Sequence, residues 1–524
     1  MRIAAALLAV LLAAAPAVRA QAPDQVLRVV LANDLTSIDP VQSTAAFVRN
    51  HGFLIYDQLF ALDSHGVARP QMVRTHEISS DGLSHRFTLR DGLLFDDGAP
   101  VRAADAVQSI RRWAERDTVG RTLAAATAAL EVVDERSFVL RLSRPFGLVA
   151  EALARPTANA LFVMPERVAR TPATEQITDT TGSGPFLFRR ADWRIGDRAV
   201  YRRNPLYRPR AEAPDGLAGG KQALVDRIEW IAMPDAATTA AALQQGEIDF
   251  WEQVSADLVP VLERNRALTV GPINAVGSMI WLRINHTQPP FDDPRARRAL
   301  LHLVNQQDVL DAIGIRPADQ RPYCPAYFMC GTPLETDAGA EGLRAIDIPR
   351  AQALLREAGY ANQRVLFMNP ADTPINNAAT LVLADAFARA GLNMDVPALD
   401  WGTLTQRRNR REPVEQGGWS LFVTVANALD AENPLSNVYL AAPGAAAPAG
   451  WPEDAELEAL RRAWWEESDP AKRTALLARV QARAYQVLPY INAGQFRTMA
   501  AWRRTLQGIR PTAIPVFWGV SKRS

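Results

Sequence analysis

The sequence predicts an α/β protein of two lobes, with a small α+β domain inserted in the first. Three observations carry this. About 500 residues remain once an N-terminal export signal is set aside, more than one hydrophobic core usually serves, so two or three domains are expected. Residues 364–399 read strand, helix, strand, a βαβ unit whose crossover is almost always right-handed and whose strands are parallel. Residues 277–310, near the middle, read strand, turn and amphipathic helix, with hairpin-rich sequence before them and βαβ sequence after. This stretch is read as the approach to a hinge between two lobes.

In chain order, Met1–Ala20 has the pattern of a secretory signal. Arg2 is the positive end, Ile3–Ala15 the short apolar run, and Val18-Arg19-Ala20 the small-x-small site before Gln21, which places cleavage after Ala20. The run is too short to span a bilayer as a stable helix. The first cysteine is Cys324, so no lipid anchor is expected at the cleavage site, and nothing later resembles a membrane span. The mature chain is expected to be soluble and exported. A net charge of +1 argues against nucleic acid or an anionic membrane surface as the main partner.

Gln25–Val30 is a first strand, followed by the loop A-N-D-L-T-S-I-D-P and helix-like sequence through Phe60. Asp81-Gly82 signals a hairpin, and Arg86–Leu89 alternates as a strand. Ala103–Ala114 is a helix buried on Ala106, Val107, Ile110 and Trp113, and Glu131–Leu142 reads as two short strands about Asp134-Glu135. These make up the inserted α+β part. Neither G-S-G-P-F-L-F (182–188) nor Gly219-Gly220-Lys221 is a phosphate loop. No helix follows the first, and Gln222 stands where the second needs a hydroxyl residue. Val225–Met233 is a strand; Asp235 caps a helix that runs to Gln245 and ends at Gly246, before a strand at Ile248–Trp251.

In the hinge approach, Met279, Trp281 and Arg283 share one strand face, and Ile280, Leu282 and Ile284 the other. Asp293 and Pro294 start a helix whose buried stripe is Ala296, Ala299, Leu300 and Leu303, with Arg295, Arg297 and Arg298 expected to stay wet. Cys324 and Cys330 flank P-A-Y-F-M; in an oxidising compartment such a pair reads first as a disulfide. Zinc is the weaker reading, since the six histidines show no ligand spacing with the cysteines. Asp347 caps a helix over Pro349–Ala358 that Gly359 ends. Arg364–Met368, Ile375–Ala390 and Leu392–Leu399 are the βαβ unit, and helices follow at Asp454–Glu467 and Pro470–Val487. Ile509–Val520 reads as a strand with no partner nearby and is expected to return to the first lobe.

The segments D-L-T-S-I-D-P (34–40), S-S-D-G-L-S-H-R-F-T-L-R-D-G-L-L-F-D-D-G-A-P (79–100), G-S-G-P-F (182–186), R-N-P-L-Y (203–207), Q-Q-G-E-I-D (244–249), P-P-F-D-D-P-R-A-R-R-A-L (289–300), D-I-P-R-A-Q-A-L-L-R-E-A-G-Y (347–360) and L-P-Y-I (488–491) form one ordered set over nearly the whole mature chain. Each alone is weak. Together they resemble the family-5 extracytoplasmic solute-binding proteins of ABC importers, the peptide, nickel and haem-type receptors. The resemblance implies a type II-like periplasmic binding protein fold of two α/β lobes joined by two crossing segments. It lays the chain out as lobe I (21–60, 182–305 and 500–524), the inserted subdomain (61–181) and lobe II (306–499). It implies a monomeric periplasmic receptor, not an enzyme and without a cofactor. That receptor would close on a small-molecule or peptide ligand and deliver it to an inner-membrane ABC permease, with no nucleic acid involved.

The same resemblance places the pocket wall at Asp34 and Leu35, at Trp281 and Asn285, at Trp401 and Trp419, and along Phe422–Asp430, which includes Thr424, Ala426, Asn427 and Asp430. Any one of the twelve tryptophans is more often core than ligand contact. Peptide-binding members hold the ligand amine with an Asp in the strand matching Phe422–Asp430. That place falls at Ala426 here, with Asp430 four residues on, so either Asp430 substitutes or the solute lacks a free amine. Arg407, Arg408, Arg410 and Arg411 suit an acidic solute or a solvated face. The rival readings are a secreted hydrolase, a receptor of the same fold for haem, a metal chelate, an opine or a sugar, and a chaperone or signalling protein. Against the first, the chain has no G-x-S-x-G and no H-E-x-x-H, and Asp96-Asp97 and Asp292-Asp293 look like turn and cap residues.

Overall fold

The computed structural model describes residues 25–523 apart from Ala158, Ala275 and Ala428; the expected export signal, Met1–Ala20, lies outside the described residues. Two seven-stranded sheets organise the chain. The first runs in the order Leu268–Gly271, Ala500–Arg503, Phe250–Trp251, Val26–Val30, Arg227–Ile231, Arg198–Arg203, Phe186–Arg194. Its centre, Val26–Val30, is parallel to both neighbours. The second runs Gln320–Arg321, Tyr490–Phe496, Ser278–Ile284, Leu421–Asn427, Arg364–Pro370, Asn393–Asp395, with Ala398–Leu399 also on Arg364–Pro370. A four-stranded antiparallel sheet (Val73–Ile78, Ser84–Leu89, Ser137–Leu142, Thr127–Val132) packs under the helix Ala103–Arg116 to form the insert.

Local chemistry accounts for many of the helix ends. Asp235, Asp293 and Asp347 each accept a backbone N–H of the first turn, from Thr238, Arg295 and Arg350 respectively. Ala106, Val107, Ile110 and Trp113 are buried as the stripe requires. The βαβ unit forms with Arg364 opposite Asn393 in parallel register and the helix Pro374–Arg389 between the strands. Cys324 and Cys330 are disulfide-bonded, with Cα atoms 5.8 Å apart.

Three placements differ from the sequence reading. The strand Ser278–Ile284 pairs on both sides within the second sheet, and the helix Pro294–Leu301 packs with it. The division between sheets therefore lies near residue 272, not after 305. Apart from Ser278 and Arg283 both faces of this strand are apolar, so a central position in either sheet satisfied its pattern equally well. Arg297 is buried, donating to the carbonyls of Val487 (3.0 Å), Phe291 (2.8 Å) and Asp292 (3.1 Å). Residues 509–520 form no strand, and Ile514, Val516, Phe517, Trp518 and Val520 instead pack as irregular chain into the first lobe's core beside Leu27 and Ile228.

The chain passes between sheets twice, at residues 272–277 and 497–499. The two crossings touch. Gly277 has φ +87°, and a Cβ there would lie 2.0 Å from the Phe496 carbonyl oxygen, so only glycine lets the crossings meet. Gln495 Nε2 donates to Val276 O (2.9 Å), binding the first crossing to the strand that leads into the second. The insert is held firmly to the first lobe. Arg112 pairs bidentately with buried Asp39 (3.1 and 2.7 Å), and Asn159 Nδ2 donates to the carbonyls of Pro40, Val41 and Ser43.

Candidate functional site

The helix Ala46–Ile55 is apolar on nearly every side, yet Arg49, Asn50 and His51 at its middle are all buried. His51 is accounted for by the first lobe: Nδ1 meets Tyr201 Oη at 2.9 Å, and burial pushes its pKa down to about 3. Arg49 is not. It is 5% exposed, and its guanidinium donates only to Asn50 Oδ1, at 3.4 and 3.3 Å. Among the described residues no carboxylate reaches it as an ion pair. Burial lowers its pKa, while Asp430 and Glu252 hold it up.

Asp430 comes from the second lobe. The strand Leu421–Asn427 ends in a turn in which Asn427 Oδ1 accepts the Leu429 N–H (2.8 Å) and Asn427 O accepts the Asp430 N–H. The Asp430 carboxylate in turn accepts the Asn427 N–H (3.1 Å). Leu429 is buried in the first lobe's core, so this loop spans the space between lobes. Burial raises the Asp430 pKa, opposed by Arg49, the Asn427 N–H and Arg155. Two further carboxylates are raised by burial. Glu432 is opposed by Arg155 and the Ser436 hydroxyl, and Glu252 by the Ala32 N–H (2.8 Å) and Arg49. The insert contributes Arg155, which pairs with Asp117 (3.1 Å) and Thr157 (2.7 Å) and keeps a buried Nε without a partner. Three parts of the chain thus bring charged groups together where the lobes meet, a region here termed the chamber. Charges of both signs lie near one another there, mostly without direct ion pairs.

The other expected pocket residues fall elsewhere. Trp281 is 1% exposed, its ring centroid 4.6 Å from Tyr490 and 5.5 Å from Tyr439, inside the second lobe's core. Trp419 is fully buried against Phe422 and Trp451, with Nε1 on Arg408 O, and Trp401 packs on the same cluster. Asn285 ties a turn, through Nδ2 to Trp419 O (2.8 Å) and Oδ1 to Thr287. Leu35 is core, and Asp34 accepts the Gly196 N–H (2.6 Å) at a hairpin end. Thr424 and Ala426 sit mid-strand, opposite Trp281 and Met279. Core packing takes up these side chains because their elements turn the apolar faces inward. From the segment Phe422–Asp430, the final turn carries Asp430 toward Arg49.

Arg49, Glu252, Arg155 and Glu432 were missed. A polar trio in an otherwise apolar helix is the one signal that pointed to Arg49; the others have no local signature. Asp63, His65 and Asp215 bring possible metal-ligand atoms within 4.8 Å of one another. They are occupied in loop-tying: Asp63 accepts the His65 and Val67 N–H groups and pairs with Arg69 (2.8 Å), and Asp215 accepts the Ser64 N–H.

Comparison with known proteins agrees with this architecture. The family model for bacterial extracellular solute-binding proteins, family 5 Middle, matches residues 68–446. The chain is 37% identical over 505 residues to a probable peptide ABC transporter periplasmic-binding protein, y4tO of Sinorhizobium fredii, covering 96% of this chain and 94% of that one. It is 25% identical over 510 residues to the glutathione-binding protein GsiB of Salmonella typhi, covering 92% and 91%. The binding protein AgaA from A. tumefaciens R10, solved with agropinic acid, superposes with a TM-score of 0.77 at 19% identity, covering 95% of this chain and 99% of that one, which shows the shared fold. Two crossed lobes, an insert on the first, and a matching family model across most of its length together place this chain among the bacterial extracellular solute-binding proteins of family 5.

Proposed function

We propose that this protein captures a small peptide or peptide-like solute between its lobes in the periplasm and passes it to an inner-membrane ABC permease. The observation that carries the reading is the chamber itself. Buried Arg49 of the first lobe, buried Arg155 of the insert and half-buried Asp430 and Glu432 of the second lobe's 427–436 loop meet there, so a ligand bearing charge touches all three only when they are together. Closure then follows from differential affinity, since such a ligand binds the closed arrangement better than either lobe alone. The relative of 37% identity carries a peptide-transport name, which supports the solute class. Binding without turnover is part of the reading, and so is release of the mature chain at Gln21.

Mass spectrometry of molecules copurifying with the periplasmically expressed protein tests it. Short peptides, recovered at unchanged mass after prolonged incubation, are expected. Recovery of non-peptide solutes alone would sink the peptide assignment, and cleavage of a bound peptide would sink binding without turnover.

A further inference from the structure

We infer that Arg49 is the anchor for a carboxylate of the solute, set across the chamber from Asp430 and Glu432, which receive its ammonium group. The solute class is therefore a compact zwitterion, and this rests on the reading above that the chamber is the solute site.

The argument begins with the cost of burying Arg49. A guanidinium has five N–H donors and cannot be neutralised by losing a proton at physiological pH, so burial requires acceptors or a counter-ion. The other deeply buried arginines meet this requirement. Arg112 has Asp39, Arg155 has Asp117, Arg283 donates to the carbonyls of Ala449, Tyr439, Pro489 and Pro448, and Arg297 to three carbonyls. Arg49 alone among these has a single, long, side-chain amide contact. Its position within the helix Ala46–Ile55 is set by Val48, Phe53, Leu54 and Ile55, all buried, so the guanidinium cannot swing out to solvent without unpacking the helix. A planar fork with open donors suits a carboxylate in bidentate geometry.

The opposite side of the chamber has the complementary need. Asp430 and Glu432 are half-buried carboxylates without a direct ion pair among the described residues. Asp430 has one backbone N–H and Glu432 one hydroxyl at 3.4 Å. An ammonium group on the same molecule would supply both with a counter-charge. The separation of the two needs onto opposite lobes means that one zwitterion can bridge them, whereas a simple anion or a simple cation would leave one side uncompensated.

The test is calorimetry on wild type, Arg49→Met and Arg49→Lys. The probes are di- to tetrapeptides and non-peptide amino-acid derivatives, each offered as free acid, as carboxamide and as N-acetyl form. In wild type, amidation of the best binder is expected to weaken it about a hundredfold, and N-acetylation likewise. Arg49→Met should bind the free acid a hundredfold more weakly and no longer distinguish acid from amide, with Arg49→Lys between. If peptides fail but non-peptide zwitterions bind with this Arg49 dependence, the peptide reading falls and the anchor stands. If peptides bind and neither amidation nor either Arg49 variant changes affinity more than threefold, the anchor is overturned and the peptide reading stands. If no zwitterion in the panel binds wild type, both are overturned. Should Arg49→Met fail to fold, the acid-to-amide ratio in Arg49→Lys decides, because a point charge without the fork should discriminate less than wild type.

Discussion

Lys221 and Asp57 are both fully buried and paired at 2.8 Å, with Tyr207 donating to the second Asp57 oxygen (2.8 Å) and the ammonium 5.0 Å from the Trp518 ring centroid. This one group ties the segment after the first helix to the C-terminal segment. Lys221→Met should leave Asp57 buried without its counter-ion and cost the first lobe about 3–5 kcal/mol, read from its denaturant midpoint, with Asp57→Asn in the same chain restoring part of the loss. Asp430 is a different case, since the role proposed for it is toward solute. Asp430→Asn keeps an oxygen for the Asn427 N–H and should fold normally. It should weaken the copurified ligand by at least ~30-fold in calorimetry, the lower end for such pairs because Asp430 is only partly buried. Unchanged affinity would remove it from the site.

Among the elements, the insert's hairpin Val73–Ile78/Ser84–Leu89 carries two stacked histidines, His76 Nε2 2.9 Å from His85 Nδ1, beside Phe87. Burial, and then His85, lowers the His76 pKa to about 4, and burial lowers that of His85. The unfolded chain therefore takes up protons below pH 6.5 that the folded hairpin refuses, so stability falls as pH drops from 6.5 toward 4 and the effect levels off below that. Thermal melts across this range should show the insert losing stability. His76→Phe should flatten the slope; an unchanged slope would locate the acid sensitivity elsewhere, with buried His51 the next group to test. The disulfide loop 324–330 is tied a second way: Gln306 bonds the Cys324 N–H and carbonyl (2.7 and 2.9 Å), and Gln495 does the same for Cys330 (3.0 and 2.9 Å). Replacing both cysteines by serine should therefore cost about 2 kcal/mol, the low end for a short loop, and leave ligand binding intact. A loss of binding would mean that the loop positions the site.

At the scale of the whole molecule, the insert also meets the second lobe. Gly147 donates its N–H to Trp465 O (3.0 Å), and a Cβ there would lie 2.6 Å from the Glu467 carbonyl oxygen. The contact is backbone to backbone, so no side chain can rotate away to make room. Gly147→Val should hold the insert off the loop between the helices Ala455–Glu466 and Pro470–Val487. The expected result is a larger radius of gyration in small-angle scattering with ligand present, and about tenfold weaker binding. Equal scattering and affinity would show that this contact does not limit closure.

Periodicity and caps are local properties, and they made much of the secondary structure legible. The βαβ unit, the Asp-capped helices, the hairpin insert and the close cysteine pair all rest on residues within one turn or one strand of each other. The ordered motifs carried the family and with it the two-lobed architecture. Assignment of Ser278–Ile284 to a sheet was not local, because a strand largely apolar on both faces fits the centre of either sheet. Burial of Trp281 and Arg297 depended on neighbours that arrived from more than a hundred residues away, and that of Trp419 on Trp451, 32 residues on. The chamber is the clearest case. Arg49, Arg155, Glu252 and Asp430 lie up to about 380 residues apart in sequence, and the coupling of Asp430 with Arg49 and Arg155 exists only once three parts of the chain meet. A sequence records which charges are present; only the tertiary structure decides which of them lose their water in the same place.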